Sequence, residues 1–356
     1  MRSGVRLLAD DLSGALDSSV AFSSPAENNR VRVSTELPAG DSMACNLGTR
    51  DLDTGLAGQR FRSAIPWLLG AEHPFLKIDS RLRGHVAELL CIVSRHHPRI
   101  VITPAAPAHG RIAVDGRAHA IAVNGRVHVE TVHLGSKLAA LGQDLAVRQP
   151  GDCPTDLITW YDATSESDLD TIVTSVRQSG QGVVYCGSSG LAAALARSMD
   201  LVPYRIHDLP GPLLMVSGSA HRTTRDQIRT YRTAMPGHHS VSHQGAALPS
   251  IRPLLVTASI PQSTNPVLAR KYVNAMLAEV CRASPPGSVM VTGGWTLESL
   301  CHHLGARSIE PRGLFAPGVP VCRFCDGAWQ GRTLIAKSGG FGEAELLLDI
   351  AGSAAM

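Results

Sequence analysis

Aromatic residues are scarce in this chain: Phe, Trp and Tyr make up 4% of its 356 residues. With so few rings the core must rest on Leu, Val, Ile and Ala, the residues of buried strands and the helices that cover them. Concentrated charge of one sign is also missing. The 33 basic and 30 acidic residues leave a net charge of +3, which gives no basic face of the kind nucleic acid requires. No uninterrupted apolar stretch is long enough to span a bilayer. Asp10 and Asp11 interrupt the first apolar run soon after Met1, unlike a secretory leader. The eight cysteines are scattered at 45, 91, 153, 186, 281, 301, 322 and 325. Only Cys322 and Cys325 form a C-x-x-C pair, and a zinc ribbon needs a second pair or suitably spaced histidines. The expectation is a cytoplasmic protein with reduced thiols. Two nucleotide signatures are absent as well. The Walker A spacing does not occur, so there is no P-loop. No G-x-G-x-x-G follows any apolar run, which argues against a nicotinamide enzyme.

What is present suits two domains of ordinary size, with 44% of residues hydrophobic. A short apolar run, a Gly/Ser/Asp-rich turn and a helical segment recur. Val5–Ala9 reads as a strand, Asp10–Gly14 as its turn, and a helix follows from Ala15. Ile100–Ile102 is a strand that ends in the loop Thr103–Pro107. Gly182–Cys186 is followed by Gly187–Gly190 and an Ala-rich helix from Leu191. Leu213–Val216 and Ser288–Val291 repeat the device. Alternating buried strands and helices predict an α/β fold of two domains, with mainly parallel sheets flanked by helices and an active-site cleft between them. Ligands of such sheets gather at the C-terminal ends of the strands. The segment from Tyr204 to Pro212, with Pro210, Gly211 and Pro212, marks the boundary, giving domains at 1–209 and 210–356. Gly237–Pro253, rich in His, Ser and Pro, reads as an exposed insertion or edge.

Four clusters carry candidate chemistry. In Ala9–Ala15, Asp10 and Asp11 are adjacent carboxylates at a strand end, able to bind hydroxyl groups or accept a proton from an alcohol. A helix cap with a solvated neighbour is the plainer alternative. In Lys77–Gly84, the residues Lys77, Asp79, Ser80, Arg81 and Arg83 suit a polyhydroxy carboxylate. Arginine grips a carboxylate through two bonds, while Asp and Ser pair with hydroxyls. Arg50 can add a further anion contact, and a charged surface loop is the alternative. In Val216–Ser219, small residues precede a helix carrying Thr223, Thr224 and Gln227, a setting where backbone can approach a phosphate. Thr292–Thr296 and Lys337–Gly342 are paired Gly-rich turns, one with a lysine, and look like a nucleotide cradle. Tight structural turns are the alternative for both.

The order of these clusters resembles the four-carbon acid sugar kinase family, which includes threonate, erythronate and 3-oxo-tetronate kinases. That family's A-D-D-L-T-G-A-x-D is matched by Ala9–Asp17, with Ser13 for Thr, and its K-x-D-S-T-L-R-G by Lys77–Gly84, with Arg81 for the small residue. P-A-x-P-x-x-G-R fits Pro104–Arg111, and D-A-x-x-x-x-D-L fits Asp162–Leu169. In the second half, G-S-x-x-x-x-T fits Gly218–Thr224, G-G-x-T fits Gly293–Thr296, and K-S-G-G-F-G fits Lys337–Gly342. Trp295 stands where the family often has an acidic residue, and the chain is shorter between Arg111 and Asp162 and between Arg229 and Pro286.

The resemblance implies a sugar-binding N-terminal domain, a nucleotide-binding C-terminal domain, and an enzyme that uses ATP with Mg²⁺ to phosphorylate a hydroxyl of a small sugar acid. It assigns Asp10 and Asp11 to the reacting hydroxyl, with Asp11 favoured as the base. Arg50, Lys77, Asp79, Ser80 and Arg83 would hold the acid. Ser219, Gly293, Gly294, Trp295, Thr296, Lys337 and Gly339 would hold ATP. The metal ligands are not legible. The implied partners are small molecules, not nucleic acid or membrane, and homo-oligomerisation is left open. The rival readings are a kinase of another small hydroxy acid and a catalytically inactive sensor of acid sugar or nucleotide.

Overall fold

The apolar runs of the sequence become the central strands of two parallel sheets. The computed structural model describes residues 4–23, 31–32, 42–97, 99–121, 125–154, 157–236, 239–243, 254–258, 260 and 264–354. The chain divides into two compact units, Met1–Pro203 and Tyr204–Met356. Among the described residues, no helix is long and apolar enough to cross a membrane.

In the first unit, β1 (Val5–Ala9), α1 (Leu12–Ser19), β2 (Val31–Arg32), β3 (Ala44–Asn46), α2 (Thr54–Leu69), β4 (His73–Lys77), α3 (Val86–Ser94) and β5 (Ile100–Thr103) come first. A small antiparallel sheet follows, made of β6 (Arg111–Val114), β7 (Arg117–Ile121) and β8 (Val127–Val129). The unit is completed by α4 (Leu134–Ala140), β9 (Leu145–Arg148), β10 (Ile158–Tyr161), α5 (Glu166–Gln178), β11 (Val184–Gly187) and α6 (Ser189–Arg197). Its main sheet is parallel, in the order β2-β3-β1-β4-β11-β5-β10-β9. Every residue of β5, β10 and β11 is buried, as expected for strands covered on both faces.

Caps set where the helices begin. The first starts at Leu12, three residues before the Ala15 that the pattern suggested, because Asp11 is its N-cap and accepts from Gly14 N at 2.9 Å. In α5, Ser165 and Asp168 form a reciprocal capping box. Asp162, just after β10, is buried and ties down the turn between β6 and β7. Its Oδ2 accepts from Asp115 N at 2.8 Å and its Oδ1 from Gly116 N at 3.0 Å and from Trp160 Nε1 at 2.9 Å. The D-A-x-x-x-x-D-L stretch is therefore built into the scaffold.

The second unit contains β12 (Leu213–Ser217), α7 (Arg222–Ala234), β13 (His239–His243), β14 (Leu254–Ala258), α8 (Pro266–Arg282), β15 (Ser288–Thr292), α9 (Gly294–Leu304), β16 (Ser308–Ala316), β17 (Val319–Phe324), β18 (Thr333–Lys337) and α10 (Leu346–Ser353). Its strands lie in the order β13-β14-β12-β15-β18-β17-β16, parallel except that β17 is antiparallel to both its neighbours. Of the polar stretch 237–253, His239–His243 forms the edge strand β13, while residues 237–238 and 244–253 lie outside the described residues. Residues 204–209 pack within this unit. Ile206 N donates to Leu314 O at 2.9 Å, Leu314 N donates to Tyr204 O at 2.7 Å, and Leu209 joins a core with Phe315, Leu346 and Ile350.

Asp162→Ala would strand the Trp160 indole N–H and two backbone donors in the interior, a loss of roughly 3 kcal/mol or more. Calorimetry should show the unfolding midpoint lowered by about 5–10 °C. A midpoint within about 1 °C of wild type would show that the turn does not depend on this carboxylate.

Candidate active site

The topology of each unit has one switch point, where connections leave a central strand to opposite sides of the sheet, and ligands of doubly wound sheets bind there. In the first unit it lies between β1 and β4, since β1 leads to strands on one side and β4 lies on the other. Asp10 and Asp11 follow β1, and Lys77 ends β4 just before Asp79. The loop after β3 brings Arg50, whose backbone N–H donates to Asp10 O at 3.2 Å beside that of Thr49 at 2.9 Å.

Arg50 joins the two acids. Its Nε and Nη2 donate to the two carboxylate oxygens of Asp10 at 2.9 and 2.7 Å, and its Nη1 donates to Asp11 Oδ2 at 2.6 Å. A longer contact of 4.0 Å reaches Asp79 Oδ1. Asp79 in turn accepts from Arg83 Nε at 2.9 Å and Nη2 at 2.7 Å, and from the backbone N–H groups of Arg81 and Arg83. Lys77 is buried, with its Nζ donating to Ile78 O at 2.8 Å. A Cβ on Gly14 would stand 2.5 Å from Asp11 Oδ1 and 3.0 Å from Lys77 Nζ, so only glycine lets α1 start this close to both groups. Ser80 lies in the turn between Asp79 and Arg81 and is half-buried. That turn holds Leu82 at φ 58, a strained left-handed conformation for a branched side chain. Its cost is met by the grip of Asp79 on the backbone to either side.

Burial raises the pKa of Asp10. The Arg50 charge opposes this, and the neighbouring Asp11 adds to it. For Asp79 burial also pushes upward, but the Arg83 hydrogen bonds and the Arg50, Arg83 and Lys77 charges outweigh it and hold the carboxyl well below the usual range. Arg50 is desolvated, yet Asp11 and Asp10 lift its pKa above the ordinary value. The result is a hydrogen-bonded set of acidic and basic groups at the strand ends. Asp11 does serve as a helix cap, but its neighbour is not a solvated bystander: Asp10 is buried and held through both oxygens.

In the second unit the switch point lies between β12 and β15. Three loops converge there. Gly293, at φ 104, precedes α9 and its N–H donates to Lys337 O at 2.8 Å. No side chain caps α9, whose amino end therefore favours an anion. A Cβ on Gly293 would lie 3.3 Å from Thr296 Oγ1 and 3.5 Å from Ser219 Cβ, and one on Gly339 would collide with Ser219 Oγ. Ser219, Gly293, Thr296 and Gly339 are thus brought together, with Gly294 opening α9. Lys337 lies beneath them. Its Nζ donates to Ser338 O at 3.1 Å and makes longer contacts with Thr224 Oγ1 and Gly339 O, both at 3.4 Å. Burial pushes its pKa down to about 7. The Trp295 ring instead faces Arg270 of α8, with the guanidinium 5.3 Å from the ring centre.

Two residues of α7 hold the lysine loop and were not singled out as site residues. Thr224 Oγ1 donates to Gly339 O at 2.7 Å. Gln227 Nε2 donates to the carbonyls of Phe341, Gly342 and Glu343 at 3.2, 2.9 and 2.8 Å. Their i, i+3 spacing on one helix face is the signal that could have found them. Among the described residues, no group of three or more His, Cys, Asp or Glu side chains is placed to hold a metal ion.

Residues 5–137 match a family described as the sugar-binding N-terminal domain, and residues 246–347 match one described as the nucleotide-binding C-terminal domain. The chain is similar to a D-threonate kinase of Bordetella bronchiseptica, 24% identical over 403 residues that cover 97% of this chain and 96% of that protein. It is also similar to a D-threonate kinase of Cupriavidus necator, 24% identical over 373 residues that cover 88% and 89%. The fold is shared with a solved Salmonella typhimurium LT2 protein at TM-score 0.74, 19% identity and coverage of 97% and 98%. A Haemophilus influenzae protein shares it at TM-score 0.67, 18% identity and coverage of 99% of both chains. With both halves matched in order and relatives aligned along nearly its whole length, the chain belongs to the four-carbon acid sugar kinase family.

Proposed function

We propose that this chain transfers the γ-phosphoryl group of ATP to a hydroxyl, a terminal one, of a small sugar acid, a four-carbon acid such as threonate, erythronate or 3-oxo-tetronate. The observation that carries this reading is the Asp10–Arg50–Asp11 clamp at the switch point of the first unit. Two carboxylates, one buried and one half-buried, fixed on one guanidinium suit the orientation of an alcohol, and the matched sugar-binding domain supports the same assignment. The domains read from the sequence as 1–209 and 210–356 are assigned to the acid and the nucleotide, with residues 204–209 packing in the second unit.

Asp11 is the more exposed of the pair, at 17% against 9% for its side chain, and takes the hydroxyl proton. The freed oxygen attacks the γ-phosphorus, the bond to the β,γ-bridging oxygen breaks, and ADP leaves with that electron pair. Such transfers depend mainly on positioning and charge neutralisation. Asp79 and Ser80 face the hydroxyls of the acid, with Arg83, whose outer edge is exposed, beside them. Ser219, Gly293, Gly294, Thr296 and Gly339 cradle the phosphates, with Lys337 beneath and Trp295 at the margin. Mg²⁺ would arrive with the nucleotide. The hydroxyls and backbone groups of the cradle fit an ion held chiefly by phosphate oxygens and water, which is the usual manner of Mg²⁺.

Release of ADP from ATP and Mg²⁺, screened over a panel of three- to six-carbon sugar acids, tests the reaction. A four-carbon acid should give the highest turnover, and a chain that consumes ATP with none of them is not this kinase. Asp11→Asn isolates the base, because Asn caps a helix as well as Asp does. Turnover should fall by about 10²–10⁴-fold with ATP affinity unchanged. Unchanged turnover would remove Asp11 from the chemistry.

Lys337 generates a pH dependence. With its pKa near 7 in the folded chain, the ammonium is largely neutral at pH 8, and incoming phosphates restore its charge. Calorimetry of ATP binding at pH 8 should therefore show uptake of on the order of one proton, read from buffers of different ionisation enthalpy, and much less uptake at pH 6. Binding at pH 8 with no buffer dependence would place the phosphates away from Lys337. The same shift predicts that this residue's contribution to stability rises from pH 7 toward 10, since burial penalises only its charged form.

A further inference from the structure

Most of the cations at the first unit's site are already committed to carboxylates of the chain. Arg50 is held by Asp10 and Asp11, and the Nε–Nη2 edge of Arg83 is held by Asp79. Lys77 is turned onto a carbonyl. Arg81 donates through Nε to Glu130 at 2.7 Å, across from the strand β8. Arg50, Arg81 and Arg83 are each matched by a carboxylate, so none of these three arginines by itself calls for a carboxylate from outside.

Arg111 is different. It opens β6, and its backbone is locked to Ala106 in both directions, N to O at 3.1 Å and O from N at 2.9 Å. It makes no ion pair with any described carboxylate. Its Nη1 reaches only the carbonyls of His109 and Gly110, at 3.4 and 3.3 Å. Its Nε is buried and has no hydrogen-bond partner. An orphaned buried donor on a guanidinium calls for an explanation, because its desolvation is otherwise uncompensated. The charges around it are those of the site: Arg81 and Arg83 repel it, Glu130 and Asp79 attract it, and burial with the Arg81 charge pulls its pKa below the ordinary value. With Nη1 turned onto the chain, the edge left to Arg111 is Nε–Nη2, which matches the two oxygens of one carboxylate.

We infer that Arg111 is the residue that receives the carboxylate of the acid substrate, through its Nε–Nη2 edge, and that Arg50 does not contact it but positions Asp10 and Asp11. This inference rests on the sugar-acid reading of the site and sharpens it. The acid is held at its two ends, the carboxylate on Arg111 and the reacting hydroxyl on the acidic pair. An uncharged polyol of the same length, lacking the anionic end, is discriminated against at Arg111.

The test is direct binding, by calorimetry on the full chain, of D-threonate, D-erythronate and tartrate, with erythritol as the uncharged counterpart and ATP as the control for an intact second unit. Wild type should bind at least one of the acids and bind erythritol far more weakly. Arg111→Gln should lose about 10- to 100-fold in acid affinity, with ATP affinity and the circular dichroism spectrum unchanged. Arg111→Lys should recover only part of the loss, because an ammonium cannot supply the two-bond edge. A wild type that binds an acid while Arg111→Gln binds it equally well overturns this inference and leaves the sugar-acid reading standing. A wild type that binds none of the three acids overturns both.

Discussion

The first unit's site depends on Arg50. Asp10 and Asp11 are consecutive, so their like charges are forced close together in a buried place, where one of them would ordinarily stay protonated. A single guanidinium on three hydrogen bonds answers both. Taking such groups out of water is costly, and such a cluster is a poor source of net stability compared with apolar packing. Its worth lies elsewhere. The loop after β3 is pinned to the end of β1, α1 receives its cap, and the reach of Arg50 toward Asp79 ties in the loop after β4. Removing Arg50 would leave the buried Asp10 and the half-buried Asp11 without their guanidinium partner, so each strand end at the switch point relies on it.

The two units use one topological device for different chemistry. In each, a central parallel strand sends its connections to opposite sides and leaves a crevice at the strand ends. The first unit fills that place with long charged side chains that pair with one another. The second fills it with Ser, Thr and Gly, so that backbone and hydroxyl groups can come close to a ligand. Phosphates are large and multiply charged, and are well met by convergent N–H groups. A sugar acid offers hydroxyls and one carboxylate, and is better told apart by side chains of fixed geometry. The division of labour follows from what each loop can present.

Much of this was legible in the sequence, and the reasons are local. Asp10–Asp11, Lys77–Arg83, Gly293–Gly294 and Lys337–Gly339 each lie directly after an apolar run, and strand ends are where α/β sheets place their sites. Other features depended on distant partners. Asp162 and Asp168 stand in a motif shared with the family, and the structure shows them tying a turn and capping a helix. Gln227 was visible only as a polar residue on a helix, because the carbonyls it holds are more than a hundred positions away. The antiparallel β6–β8 sheet was not separated from the surrounding α/β pattern, and the position of Arg111 beside Arg81 and Arg83 depends on how that sheet returns to the loop after β4. Short polar strands with small turns carry weak periodicity, and their neighbours cannot be read from spacing.

Arg111 in the first unit and Lys337 in the second make no ion pair with any described carboxylate, and the two differ in how they bear their charge. Lys337 can give up its proton, which is why burial moves its pKa to about 7, so the interior can hold it as a neutral amine until phosphates arrive. Arg111 has no such escape, because a guanidinium stays charged at any ordinary pH. It must be tolerated as an ion, softened by the fields of Glu130 and Asp79 and by weak contacts to two carbonyls. In the proposed roles, the lysine would make nucleotide affinity depend on pH, whereas the arginine would make acid recognition nearly independent of it. The group that must discriminate a carboxylate from a hydroxyl is the one whose charge cannot be switched off.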